Sequence, residues 1–148
     1  MEAKKERKRR LRSGFTMIEL VAMLIIIGLL AAVVGTNVMG KIEKAKVTTT
    51  KTSLKILHSA VNTFKMDTGR YPTDEEGLSV LVDDPGDEGW EPGGYLETLE
   101  VPKDGWKHDF VYELDPASGK PFVIISYGAD GEEGGEGYDA DLASTDAF

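Results

Sequence analysis

Apolar residues are concentrated near the N-terminus, and the rest of the chain is polar and rich in glycine. Residues 20–35 (LVAMLIIIGLLAAVVG) contain no charged side chain, and the apolar run extends from Phe15 to about Val38. A run of roughly 24 residues is long enough to span a bilayer as a helix and too long for the apolar core of a secretory signal peptide. The pattern therefore predicts a membrane-spanning helix over residues 15–38.

Beyond residue 40 the apolar positions follow a helical repeat, with spacings of three, four and three residues between Leu54, Leu57, Val61 and Phe64. Such spacing places the four side chains on one face of an α-helix. The sequence Asp67-Thr68-Gly69 then provides a stop signal. We therefore predict one helix from about residue 16 to about residue 66, whose second half packs its apolar stripe against a small domain.

Two later segments have the composition of β-strands. DFVYEL at 109–114 and PFVIISY at 121–127 are rich in β-branched and aromatic residues, and the segment between them, 115–120, has the composition of a turn. They are predicted to form an antiparallel hairpin that packs on the helix stripe. The fold class is therefore α+β, with a long N-terminal helix on a small C-terminal antiparallel sheet.

The region between the helix and the hairpin is predicted to be mostly connecting structure. Thr73 and Glu76 have the spacing of a capping box, which predicts a short helix over about residues 75–82. Trp90 and Tyr95 are expected to hold the glycine-rich turn between them by packing.

Charge is distributed as unevenly as hydrophobicity. Residues 1–14 hold seven Lys/Arg against two Glu, a net charge of +5, and since the whole chain carries −9 the remainder carries −14. A body this acidic argues against nucleic-acid binding and favours cationic partners such as Ca²⁺. The basic cluster before Phe15 is expected to stay in the cytoplasm, which places the acidic body on the other side of the membrane. The absence of cysteine excludes disulfides, thiolate metal sites and cysteine nucleophiles.

The start of the apolar run carries two further signals. A break of small residues, Ser13-Gly14, lies before the run, and Glu19 lies inside it. A carboxylate in a bilayer costs several kcal/mol, so it is expected to have a partner. Cutting after Gly14 would create one, the α-amino group of Phe15, on the same chain or on a neighbouring subunit. The alternative is that Glu19 lies at the headgroup level of an uncleaved anchor.

Residues 126–141 (SYGADGEEGGEGYDAD) hold six carboxylates and five glycines. Carboxylate and carbonyl oxygens suit Ca²⁺, whereas Zn²⁺ would require histidine or cysteine. The alternative is a solvated acidic loop without metal. No catalytic constellation is found: His58 and His108 are far apart in sequence, and the common nucleophile, phosphate-loop and dinucleotide motifs are absent. The chain is therefore predicted not to be an enzyme.

The stretch Gly14-Phe15-Thr16-Met17-Ile18-Glu19-Leu20 resembles the class III signal of type IV pilins and type II secretion pseudopilins. The resemblance implies that a prepilin peptidase cuts after Gly14 and N-methylates Phe15, and that Glu19 pairs with a neighbour's N-terminus during assembly. Four body segments resemble those of the major pseudopilin of type II secretion, the general secretion pathway protein G family: residues 69–73, 76–78, 93–96 and 126–131.

The resemblance implies a type IV pilin-like organisation: a cleaved leader at 1–14, a transmembrane and filament-core helix at 15–38, and a periplasmic domain at 39–148. The implied function is the major structural subunit of the type II secretion pseudopilus, a helical filament of this chain that drives the export of folded proteins across the outer membrane. Implied partners are the prepilin peptidase, the assembly platform protein and the minor pseudopilins. The alternatives are a type IV pilin, or an uncleaved periplasmic binding domain anchored in the inner membrane.

The resemblance also implies one Ca²⁺ ion in the C-terminal loop. Its ligands would be the side chains of Asp130, Asp139 and Asp141, with possible backbone oxygens of Tyr127 and Ser144. The chain departs from the family pattern at the end that follows Asp141 and in three earlier places. Thr36 stands where proline is common, Ala140 separates the last two aspartates, and Lys103-Asp104-Gly105-Trp106 replaces a D-P-W-G segment.

Overall fold

The computed structural model describes residues 14–115 and 117–146, so most of the predicted leader and the last two residues of the predicted domain lie outside the described part. The described chain divides into two units with a boundary between Met39 and Gly40. One helix, α1, runs from Met17 to Thr68 and contributes to both units. The predicted limits of about 16 and 66 are therefore confirmed to within two residues.

The first unit is the apolar half of α1, preceded by the non-helical residues 14–16. The large apolar side chains that the structure describes in this unit are exposed. Leu24, Ile27 and Leu30, for example, expose 68%, 61% and 61% of their surface. By length and composition α1 is able to cross a membrane, and it is the one such helix among the described residues.

The second unit has its core on the predicted stripe of α1. Leu54, Leu57, Val61 and Phe64 are completely buried, which confirms the interpretation of their spacing. Residues of the sheet and of the connecting region complete the core on the other side: Leu78, Val80, Leu81, Tyr112, Phe122 and Ile124.

Three antiparallel strands form the sheet in the order β1-β2-β3. β1 is Val111–Leu114, β2 is Phe122–Ser126 and β3 is Leu142–Ala143. The predicted hairpin is confirmed, with Val111 opposite Ile125 and Leu114 opposite Phe122. Strand β3 was not predicted, because two residues are too few to show an alternating pattern. It places the chain that follows the acidic loop beside the end of β2.

The connecting region differs from its prediction. The capping box forms, since Thr73 N donates to Glu76 Oε2 at 2.9 Å and Glu76 N donates to Thr73 Oγ1 at 3.3 Å. The expected helix over 75–82 is wrong, however: a turn leads into a 3-10 helix of three residues, Ser79–Leu81. Gly77 explains the difference, because its φ of 56° is left-handed and cannot continue an α-helix.

The aromatic packing predicted for the glycine-rich turn is confirmed. The Trp90 and Tyr95 rings meet edge to face at a centroid distance of 6.1 Å. Trp90 Nε1 donates to the Val80 carbonyl at 2.8 Å, and Tyr95 Oη accepts from the Glu91 amide at 3.1 Å. Both rings thereby fix the turn on the core.

Candidate functional site

The first candidate site is the start of α1. The bond between Gly14 and Phe15, where cleavage is predicted, lies in the non-helical residues just before the helix. Thr16 caps the helix together with Glu19. Glu19 Oε2 accepts from Thr16 N at 2.8 Å and from Thr16 Oγ1 at 3.0 Å, and Glu19 N donates to Thr16 Oγ1 at 3.2 Å. This reciprocal arrangement is a capping box.

The role of Thr16 was missed in the sequence analysis, although its signal is present. The pattern Thr-x-x-Glu at residues 16–19 is the same as the one recognised at residues 73–76. Because Phe15 is still joined to Gly14 here, the predicted pairing of Glu19 with a free Phe15 amine remains a prediction.

The second candidate site is the acidic loop, residues 127–141. The loop is closed across its base, where Ala129 N donates to the Tyr138 carbonyl at 2.9 Å. Two glycines approach the backbone of Asp139 closely. A Cβ added at Gly128 or at Gly135 would lie 2.6 Å from the Asp139 carbonyl oxygen. The glycines therefore let the backbone pack where any side chain would collide.

The three predicted aspartate ligands do not form one cluster in this loop. Asp130 Oδ1 accepts from the Glu132 amide at 3.1 Å. Both Asp141 oxygens accept from the Gly134 amide, at 3.1 and 3.0 Å. Within residues 14–115 and 117–146, no group of three carboxylate or imidazole side chains is close enough to hold a metal ion. The donor chemistry of the loop fits Ca²⁺, but binding by all three would require their side chains to come closer together.

The two predicted backbone ligands lie at the two ends of the loop: Tyr127 is its first residue, and Ser144 follows its last residue by three positions. Burial raises the pKa of Tyr127, and the nearby charges of Glu133, Glu113 and Asp141 raise it further. The Ser144 side chain is completely buried, where its Oγ accepts from Ile124 N at 3.1 Å and lies 3.3 Å from His58 Nδ1. The end of the loop is thus anchored to β2 by a side chain.

The carboxylate of Asp104, which the sequence did not mark as a functional residue, is buried beside the start of the acidic loop. Asp104 accepts three hydrogen bonds: Oδ1 from the amides of Trp106 at 2.9 Å and His108 at 2.8 Å, and Oδ2 from Ser126 Oγ at 2.6 Å. His108 Nδ1 in turn lies 3.1 Å from the Gly128 carbonyl. His108 thereby connects Asp104 with the loop.

The same segment is fixed to α1. Gly105 N donates to Thr50 Oγ1 at 2.9 Å, and a Cβ at Gly105 would lie 2.4 Å from the Lys46 carbonyl oxygen. Trp106 Nε1 donates to Glu43 Oε2 at 2.8 Å. The segment that departs from the D-P-W-G pattern therefore joins α1, β2 and the acidic loop.

Arg70, in one of the segments that resemble the pseudopilin family, holds the connecting region together. Its guanidinium forms a bidentate ion pair with Glu76, at 2.7 and 2.8 Å, and also binds Asp87. The hydrogen bonds from Arg70, followed by the one from the Thr73 amide, lower the pKa of Glu76 from its ordinary 4.5 to about 2. These ion pairs fix the position of the connecting region.

Comparison with known proteins gives a consistent result. The family "Type II secretion system (T2SS), protein G" matches residues 37–145. "Type II secretion system core protein G" of Pseudomonas aeruginosa is 40% identical over 143 residues, which cover 94% of this chain and 99% of that protein. The protein of the same name from Vibrio cholerae is 37% identical over 141 residues, covering 93% and 94%.

Among solved structures, the chain is similar to the major pseudopilin from the type 2 secretion system of enterohaemorrhagic Escherichia coli. The TM-score is 0.59 at 29% sequence identity, and the match covers 72% of this chain and 92% of that one. The predicted fold, a long N-terminal helix on a small antiparallel sheet, is confirmed by this similarity.

Proposed function

Since the chain belongs to the type II secretion system protein G family, we propose that it is a major pseudopilin, the structural subunit that polymerises into the pseudopilus. The observation that carries the proposal is the match to relatives over nearly the full chain, together with an apolar helix half that is long enough to cross a membrane and whose described large side chains are exposed. Such a surface requires lipid or other apolar helices around it.

Assembly is possible because the helices of other subunits can replace the lipid around the apolar half of α1. In the inner membrane the apolar half of α1 is surrounded by acyl chains, and in a filament the same half is surrounded by the helices of other copies. Contacts that repeat between different faces of identical subunits generate a helical filament when the rotation from one copy to the next does not close a ring. Growth of this filament would push folded proteins towards the outer membrane.

Processing is proposed to prepare the subunit for this step. A prepilin peptidase cuts between Gly14 and Phe15, N-methylates Phe15, and leaves an amine that pairs with Glu19 of the same or a neighbouring copy. Two observations support this. The bond to be cut lies outside the helix, and Glu19 uses only Oε2 in its capping box, so that Oε1 accepts no hydrogen bond from the described residues.

The proposed location is the inner membrane, with the basic N-terminus in the cytoplasm and residues 39–148 in the periplasm. The charge asymmetry around α1 and the family membership support this orientation. The assembly platform protein and the minor pseudopilins are the proposed partners, again from family membership. A type IV pilin or an anchored binding domain is not favoured, because the similar proteins are type II secretion proteins.

Calcium is proposed as the ligand of the acidic loop. Asp130, Asp139 and Asp141 would hold it, with the backbone oxygens of Tyr127 and Ser144. When bound, Ca²⁺ supplies a double positive charge that neutralises the crowded carboxylates. The glycine contacts around Asp139 and the loop's all-oxygen donor set support the proposal.

Mass spectrometry of the membrane-extracted protein, expressed with a prepilin peptidase, tests the function. A mature chain that begins at methylated Phe15 is expected. An intact Met1, or a cut near Val38, would identify an unprocessed anchor or a secretory signal instead. Glu19→Gln is expected to be processed normally but to yield far fewer filaments, whereas Glu43→Gln, a matched change in the second unit, should leave filament formation intact.

A further inference from the structure

The second half of α1 and the structure around it carry opposite charges. Residues 40–66 contain six lysines against one glutamate. Residues 67–148 contain four Lys/Arg against 22 Asp/Glu. A positively charged helix surface on one copy of the chain can therefore pair with a negatively charged surface on a second copy. We propose that a stripe of lysines on α1 binds the acidic segment at residues 83–100 of the next subunit. This inference rests on the proposed function as a filament subunit.

The basic stripe consists of four exposed lysines with helical spacings of three, seven and four: Lys41, Lys44, Lys51 and Lys55. At 3.6 residues per turn they share one face of α1, different from the buried face of Leu54 and Leu57. Lys46 lies off the stripe and pairs with Glu43 at 2.9 Å. None of the ion pairs found among the described residues includes Lys41, Lys44 or Lys51.

The acidic segment lies in the connecting region and has no Lys/Arg of its own. Six of its carboxylate residues are exposed: Asp83, Asp84, Glu88, Glu91, Glu97 and Glu100. The seventh, Asp87, is held by Arg70 and is excluded from the proposal. Leu99 in the same segment exposes 92% of its surface. The segment thus offers both negative charge and one uncovered apolar side chain to a neighbour.

The two surfaces lie on different sides of the same subunit. A groove of about 480 Å³ lies between α1 and residues 95–98, and is lined on the helix by Ile56 and Thr63, with no stripe lysine among its lining residues. Lys51 lies on another flank, beside Asp141 and Asp146. Pairing of the stripe with the acidic segment therefore joins two different faces of two copies. Such heterologous contacts continue from copy to copy and can build a filament.

Anionic lipid headgroups are the other candidate partner of the stripe, but they fit only part of it. Lys51 and Lys55 lie 11 and 15 residues beyond Gly40. At 1.5 Å per residue these positions are roughly 16 and 22 Å along the helix, beyond the Debye length of about 8 Å at physiological salt. Headgroups near the end of the apolar segment would therefore attract Lys41 and Lys44 while leaving the rest of the stripe unused.

Disulfide cross-linking tests the contact directly, because the natural chain has no cysteine. Lys44→Cys or Lys55→Cys is combined with Asp84→Cys or Glu97→Cys in the full-length chain, and assembled pseudopili are oxidised. At least one of the four combinations is expected to give a ladder of dimers, trimers and larger species. Lys120→Cys with Glu97→Cys is the matched control, since it removes the same charges at an exposed lysine outside the stripe, and it should give no ladder.

Charge reversal separates the possible partners. Lys44→Glu with Lys55→Glu is expected to lower filament yield roughly tenfold, and Asp84→Lys with Glu97→Lys in the same chain should restore it. Reversed lysines that lose binding to phosphatidylglycerol vesicles, with no rescue by the second pair, would assign the stripe to lipid and overturn the proposal. Filaments that form without any of the four ladders would overturn it as well. Failure of the unaltered chain to form filaments would instead contradict the proposed function.

Discussion

Asp104 Oδ2 accepts a 2.6 Å hydrogen bond from the Ser126 hydroxyl, and both residues are buried. The bond joins the segment after the connecting region to the last residue of β2, immediately before the acidic loop. A buried carboxylate is tolerated only where donors satisfy it. Here two backbone amides and one hydroxyl satisfy it, so Asp104 fixes the position of the residue from which the loop begins.

Removal of this carboxylate should destabilise the second unit. Asp104→Ala leaves two amides and the Ser126 hydroxyl without their acceptor, and we expect a loss of about 3 kcal/mol in the free energy of unfolding. Urea unfolding of the full-length protein in detergent, followed by tryptophan fluorescence, measures it. Asp109→Ala is the control, because Asp109 pairs with Lys103 at the exposed surface and should contribute at most about 0.5 kcal/mol. Similar losses in both variants would contradict the role of Asp104.

Two glycines of the acidic loop offer a matched test of the close approach to Asp139. Gly128 and Gly137 have φ values of 64° and 67°, so alanine is strained to the same extent at both. Only at Gly128 would the new Cβ meet the Asp139 backbone, at 2.6 Å, whereas nothing lies within 4 Å at Gly137. Gly137→Ala is therefore expected to cost about 1 kcal/mol and Gly128→Ala clearly more. Equal melting temperatures for the two variants would contradict this expectation, because they would show that the loop accommodates a Cβ at Gly128 without loss of stability.

Acid should weaken the connecting region through Glu76. Because Arg70 and the Thr73 amide lower its pKa in the folded protein to about 2, against an ordinary 4.5, the ionised form favours folding. This contribution is complete above pH 5 and is lost as the pH falls from about 5 to about 2. Since Glu76 is partly exposed, we expect Glu76→Gln to lose only about 1 kcal/mol at neutral pH. Stability measured from pH 7 to pH 2 should fall less steeply in the variant, and an identical slope would rule out this linkage.

Calcium should stabilise the natural chain more than a variant that lacks a ligand. Asp130→Ala is expected to lower the melting temperature when Ca²⁺ is present but scarcely in the presence of a chelator, since ligand binding to the folded state raises its stability. Glu132→Ala, in the same loop, removes the same charge from a residue outside the proposed ligand set and should change little. Equal losses for Asp130→Ala in both conditions would refute the Ca²⁺ role.

Thr16 should fix the first turn of α1. Thr16→Ala removes the hydroxyl from the capping box, and the expected loss of about 1 kcal/mol corresponds to roughly fivefold faster amide exchange in that turn. Hydrogen exchange of the unprocessed protein in detergent measures it. Thr16→Ser keeps the hydroxyl and should exchange like the natural chain. If the serine and alanine variants exchange alike, the hydroxyl is not part of the cap.

The elements that could be predicted are those whose signal is local. The stripe from Leu54 to Phe64 and the hairpin strands repeat at the period of their own structure, so each segment reports its conformation without reference to the rest. The capping box at Thr73 was recognised for the same reason. Its helix was predicted too long because the left-handed conformation of Gly77 depends on how the following turn docks on the core.

The support of the acidic loop could not be predicted in this way. Asp104 becomes important only when the fold brings it to Ser126, which is 22 residues away in sequence, and when Gly105 meets Thr50, 55 residues away. Neither pair leaves a periodic pattern. The side-chain ligands of a metal in the loop remain a prediction for a related reason: their positions depend on the loop backbone more than on residue type.

The chain contains the same Thr-x-x-Glu box twice, and the comparison bears on when a subunit becomes competent to assemble. At residues 73–76 the glutamate holds both the threonine amide and the guanidinium of Arg70, which shows that one capping carboxylate can serve a cation at the same time. At residues 16–19 the box is complete, but no cation among the described residues accompanies it. If peptide-bond cleavage supplies that cation, the cleavage controls when a subunit can assemble. An uncleaved subunit would have the carboxylate of the assembly contact in place but would lack its cation until the bond after Gly14 is cut.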